Sequence, residues 1–173
     1  MARRELFLSS RSHKKGNVGI EVVVIIIILL AFGLFSIFTR YIFHEVNTDM
    51  QADQDMSNDS KTMMNNFDTK QASIFDNGFL LIFILLWIWG MVAAFMINSH
   101  PIFFVFTVII LIFVCIFAMM IGNSYQDITN DPDLASIVAQ YPIQTWMLTH
   151  LLIVAIVVGF SIGFVAYAKM RNG

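Results

Sequence analysis

Two apolar runs separated by a four-residue turn constrain this chain more than anything else in it. Phe79–Ile97 and Ile102–Ile121 contain no charged residue and flank Asn98-Ser99-His100-Pro101. As helices rising about 1.5 Å per residue, each is about 30 Å long, the thickness of a bilayer's hydrocarbon core. In water, two such helices so closely joined would leave a large apolar surface exposed. In lipid they form two antiparallel spans. Pro101 is pre-organised for the first helical turn, with Ser99 or His100 as the cap before it. His100, without a second ligand nearby in sequence, reads as a turn residue.

Two further runs complete the count. Val22–Thr39 carries no charge and lies between Glu21 and Arg40, whose side chains can reach headgroups from the span ends. Its β-branched residues Val22–Ile28 would favour a strand in water, but an open strand in lipid leaves its backbone unsatisfied, so a helix is expected. Met147–Ala168 is the last run, with Trp146 and Tyr167 marking its two interfaces. The chain is 58% hydrophobic and only 13% charged, against about 25% charged in soluble domains. The fold class is therefore all-α: a polytopic membrane protein with four transmembrane helices and one short amphipathic interfacial helix. The expected division is a basic tail over 1–17, transmembrane helices over 18–43, 79–97, 102–121 and 146–168, and a tight turn at 98–101. Acidic loops cover 44–78 and 122–145, and a basic C-terminal tail covers 169–173.

The polar segments differ in sign. The N-terminal tail holds Arg3, Arg4, Arg11, Lys14 and Lys15 against Glu5, and the apolar run after it reads as an uncleaved signal anchor. Residues 44–78 hold Glu45, Asp49, Asp53, Asp55, Asp59, Asp68 and Asp76 against Lys61 and Lys70, which reads as a solvated acidic face, with a helical extension of the first span as one form it can take. Val46, Ser60, Phe67 and Ile74 share one heptad position there and Met56 and Met63 another, a seam that would pack on a neighbour. In 122–145, Asp131-Pro132 reads as a cap and helix start. Leu134, Ile137, Val138 and Tyr141 then recur at helical spacing, an amphipathic helix on the membrane surface or over the mouth of the bundle. Lysines and arginines concentrate at the termini, so the positive-inside rule places both termini in the cytosol.

Little chemistry is legible. Cys115 is the only cysteine and lies within a span, which excludes an internal disulfide and paired-thiol redox chemistry. Asp49, Asp53 and Asp55 lack the glycine turn and terminal glutamate of a calcium loop. No HExxH, GxSxG or glycine-rich phosphate loop is present. His44 and His150, near the outer ends of the first and fourth spans, could ligate a haem if their helices faced each other. The expectation is no cofactor, no metal and no enzymatic activity. Small residues mark packing faces at Gly90 and Ala94 and at Ala155, Gly159 and Gly163. The deep Trp87 and Trp89 should find hydrogen-bond acceptors on other helices.

The plan of the chain resembles small integral proteins of the internal membranes of tailless icosahedral viruses, the tectivirus-like and corticovirus-like group. The resemblance lies in the basic tail leading into Val22–Leu30, the Met/Asp/Gln-rich segment 46–67, the Asn98–Pro101 turn and Gly122-Asn123-Ser124-Tyr125 after the third span. It implies a structural or assembly role in a virion membrane, with Arg3, Arg4, Arg11, Lys14 and Lys15 contacting capsid or lipid headgroups. The expected partners are the bilayer, other membrane or capsid proteins and a second copy of the chain, with no specific nucleic acid. Two alternatives stand beside it: a scaffolding subunit of a cellular membrane complex, and a holin-like pore former.

Overall fold

A computed structural model describes residues 18–96 and 102–172. The basic tail with Arg3, Arg4, Arg11, Lys14 and Lys15, and the turn with His100, lie outside the described residues. Within them the chain is all-α: α1 (Val18–Ala52), α2 (Asn58–Met96), α3 (Ile102–Thr129), α4 (Pro132–Val138), α5 (Pro142–Thr149) and α6 (Leu151–Asn172). Four of these, α1, α2, α3 and α6, are long and apolar enough to cross a membrane.

The four spans do not pack in chain order. α1 and α6 form the central pair, and α2 and α3 flank it on opposite sides, almost without touching each other despite the short turn between them. Burial follows: 39% of the most apolar stretch of α1 and of α6 is enclosed, against 17% for α2 and α3. Small residues allow the close approaches. A side chain at Gly90 would meet Ile162 of α6 at 2.7 Å and Ile25 of α1 at 3.3 Å. Ala94 and Ala155 are buried, and a side chain at Gly159 would meet Leu111 of α3. Gly163, by contrast, has open space beside it. The expected small-residue face of α6 is thus covered by α3 as far as Gly159. The Trp87 indole N–H donates to Ser161 Oγ of α6 at 2.7 Å, whereas Trp89 is 66% exposed.

The apolar run of α2 begins level with a point part-way along α1, and that of α3 ends where α6 begins. Phe79 packs beside Phe32, ring centroids 6.2 Å apart, and Gly122 lies under the Leu148 and Thr149 carbonyls just before α6 begins. Above these boundaries stands a helical head. The segment 44–78 is not a loop there: α1 runs on to Ala52 and α2 begins at Asn58, capped by Ser57 Oγ, which accepts from the Ser60 N–H. Gln51 and Lys61 close the tip by exchanging side chain-to-backbone hydrogen bonds of 2.9 and 3.0 Å. At 35 and 39 residues, α1 and α2 are about 50–60 Å long, nearly twice a bilayer's core.

The heptad seam faces away from the chain's own interior: Val46, Met63, Phe67 and Ile74 are all exposed, and the buried stripe of α2 is Asp68, Gln71, Ala72, Asp76 and Phe79. Paired charges, rather than apolar periodicity, decide which side of α2 turns inward. One expectation is corrected here: the fourth helix does not start at Trp146. The chain breaks at His150, where Thr149 Oγ1 donates to the Thr145 and Trp146 carbonyls and the His150 ring contacts the Trp146 carbonyl, so side chains compete for the turn's acceptors.

Enlarging the two glycines should separate their roles. Gly90→Leu must displace Ile162 and Ile25, which overpacking data put at about 1–3 kcal/mol. Gly163→Leu should stay within about 0.5 kcal/mol of the parent. Unfolding of the two variants by denaturant in detergent micelles measures the difference.

Candidate functional site

The head is held by polar groups, and the two small helices α4 and α5 are what they hold. Asp131 caps α4 by accepting from the Asp133 N–H at 3.0 Å, with Pro132 in the first turn. Ile137, Val138 and Tyr141 are buried, so the amphipathic helix covers the mouth of the bundle. α5 has no side-chain cap of its own. Asp76 of α2 supplies one: Oδ2 accepts from the Ile143 N–H at 3.1 Å and Oδ1 from the Gln144 N–H at 2.8 Å. A carboxylate there satisfies two otherwise orphaned donors and meets the positive end of the helix dipole.

α1 makes three bonds with the same segment, spaced so that they fall on one helical face. Gln144 Nε2 donates to the Gly33 carbonyl at 3.0 Å, and the Tyr141 hydroxyl to the Ser36 carbonyl at 3.3 Å. Arg40 Nε donates to Gln140 Oε1 at 3.0 Å. Gly33 permits the approach, since a Cβ there would collide with Leu148 and crowd Gln144. Gln144 also lies 3.5 Å from the Tyr125 hydroxyl of α3.

At the top of the cluster Arg40 pairs with Asp68 across α1 and α2, both side chains almost fully enclosed. The expectation that Arg40 reaches headgroups is therefore wrong; its guanidinium turns inward because Asp68 and Gln140 give it partners. Asp68 and Asp76 likewise leave the solvated acidic face assigned to this segment. His44 Nδ1 lies 3.4 Å from Asp68 Oδ2, with its ring more than half exposed. Gln71, 1% exposed between the two aspartates, reaches no protein partner with either amide atom, and Gln144 Oε1 is also unmatched. Each such group costs about 1–3 kcal/mol.

The histidines have separate surroundings: His44 faces Asp68, while His150 stacks on Trp146 with centroids 5.1 Å apart and bonds to its own turn. Among the described residues no group of three His, Cys, Asp or Glu could hold a metal ion. Sequence reasoning missed Arg40, Asp68, Asp76, Tyr141 and Gln144. Their only advance signal was weak: Asp68, Gln71, Ala72, Phe75, Asp76 and Phe79 share a helical face, a stripe visible only once the segment is known to be helix.

Removing one member of the ion pair should be far worse than removing both. Asp68→Leu leaves the Arg40 charge buried alone, a loss of about 3–5 kcal/mol, whereas Arg40→Met with Asp68→Leu should return stability to the parent level or above. Denaturant titration of single and double variants in detergent measures this. Burial pushes the Tyr141 phenol from 10.0 up to about 12, against the smaller opposing pull of Arg40. A raised phenol contributes stability that is complete below the unfolded value of 10.0 and lost as pH rises through about 12. Head stability should therefore fall across that window, with a shallower fall in Tyr141→Phe, as followed by circular dichroism.

The chain matches no known protein family model, and neither a curated protein nor a solved structure is significantly similar to it. Its own geometry describes it: an all-α integral membrane protein of four spans, with a braced helical head at one end.

Proposed function

We propose that this protein is a non-enzymatic structural or assembly component of a membrane, and that the membrane is the internal one of a tailless icosahedral virion. One observation supports the structural reading above others. The buried charged side chains among the described residues, Arg40, Asp68 and Asp76, all brace helix against helix. A catalytic site sets charged groups facing a substrate cavity; here they face backbone donors and one another, and the result is a stiff projection about 30 Å tall above the apolar level. The viral setting comes from the sequence resemblance. In that setting a vesicle whose cytosolic face turns outward would present Arg3, Arg4, Arg11, Lys14 and Lys15 to the capsid, and the acidic head to the interior.

A second reading, a scaffolding subunit of a cellular membrane complex, draws on the open space at Gly163. A groove of about 200 Å³ runs there between Thr107, Leu111, Gly159 and Phe164, wide enough to receive another helix's side chains.

Deleting residues 2–15 tests the first reading. The shortened protein should still insert in membranes but be lost from purified particles. Full incorporation without those residues would remove the proposed capsid contact, and copurification with cellular subunits in place of capsid protein would favour the second reading.

A further inference from the structure

The outward face of the α1–α2 head is apolar where water should surround it. On α2, Phe67, Ile74, Leu81, Ile88 and Phe95 recur every seven residues and are 47–63% exposed, with Met63 beside them at 75%. Within the membrane level such a stripe faces lipid. Above it lipid is no explanation, because the same turns of α2 carry Asp59, Lys61, Asp68, Lys70 and Asp76. On α1, Ile42 and Val46, both beyond the uncharged run that ends at Thr39, are similarly exposed. The two stripes meet edge to edge, with Phe43 against Phe67 at 5.3 Å and Phe35 against Phe75 at 6.5 Å. Stable monomers rarely leave so continuous an apolar face in water.

The continuity of the stripe identifies what covers it. It passes from Phe67 and Ile74 to Leu81, Ile88 and Phe95 with no change of face. The occupant must therefore be a helix that turns from water-borne to membrane-borne at the same level. A soluble protein meets only the upper half of that requirement and lipid only the lower. α1 and α2 meet both. A strict seven-residue repeat is also the spacing at which helices pack over long distances.

We propose that a second copy of the chain covers this face, about a two-fold axis along the membrane normal, with α1 of each copy against α2 of the other. The proposal is independent of the virion reading. The charges at the rim suit it. Glu45 flanks the α1 stripe and Lys70 the α2 stripe, and neither is in an ion pair within the described chain. The two-fold places Glu45 of one copy beside Lys70 of the other, about 7 Å apart in height, within the combined reach of the side chains. The area is sufficient as well. A two-helix face along the roughly 30 Å head gives about 600 Å² per partner, and its continuation through the bilayer brings it to the ~800 Å² of a standard interface.

Disulfide trapping in native membranes tests this with two differently tagged full-length copies in a Cys115→Ala background. One carries Val46→Cys and the other Met63→Cys, residues at matching heights on facing helices. Thr69→Cys, exposed on the opposite side of α2, replaces Met63→Cys in the control. Mild oxidation should join Val46→Cys to Met63→Cys and leave the Thr69→Cys pair largely unjoined. Lys70→Glu should lower the trapped yield a few-fold, and adding Glu45→Lys should restore it. No adduct, equal yields at Met63→Cys and Thr69→Cys, or an adduct to a different polypeptide would overturn the proposal. Loss with Lys70→Glu that Glu45→Lys fails to rescue would overturn the two-fold arrangement.

Discussion

A single arginine–aspartate pair decides how the head of this protein is built. Arg40 and Asp68 lie twenty-eight residues apart on helices running in opposite directions, and each would be intolerable where it is without the other. Their pairing fixes the rotation of α2 about its axis. That rotation turns Asp76 toward the start of α5, and α5 so capped sets Tyr141 and Gln144 against α1. The pair need not add much net stability, since the attraction between buried charges is offset by the cost of taking them out of water. What it supplies is direction: one register and one face for two long helices that apolar packing alone leaves free to rotate.

That dependence explains what was legible in the sequence. Spans are a matter of length and hydropathy, both local, and the four apolar runs correspond to four long helices. Trp87 is legible for a similar reason, since a deep indole N–H requires an acceptor whatever the fold, and Ser161 provides it. The head obeys different rules. Apolar periodicity picks out Phe67 and Ile74 as a packing seam because it weighs only hydrophobicity, and it gives no sign that the chain's own interior goes to Asp68, Gln71 and Asp76. A buried charge is recognisable only through its partner, and nothing local tells Arg40 that Asp68 will face it. Asp76 is harder still, because it caps a helix sixty-seven residues away whose own N-terminus offers no side chain for the purpose.

The two ends of the molecule therefore rest on different physics. Between the apolar boundaries, small residues and shape hold the helices: Gly90 against Ile162, Gly159 against Leu111, with few polar contacts. Above them, hydrogen bonds tie Gln140, Tyr141 and Gln144 to Arg40, Ser36 and Gly33 of one helix. Gln71, enclosed and without a protein partner, shows that this polar interior is not perfectly matched. The lower part tolerates sliding of similar side chains, while the upper part admits few alternatives, so the head sets the register for the membrane region beneath it.

The arrangement of the spans has a consequence for biogenesis. α1 and α6, the first and fourth of these spans, form the centre, while α2 and α3 stand apart on either side of them. Before α6 emerges from the ribosome, α1 and α2 can already pair through Phe32–Phe79 and Arg40–Asp68, and α4 and α5 can dock on them. What is missing is the helix that joins the outer two: Ile162 does not yet cover Gly90 of α2, and Leu111 of α3 has no Gly159 to pack on. The head can therefore be built before the membrane interior closes, and a nascent chain stopped short of Leu151 would carry that head above three helices without their common centre.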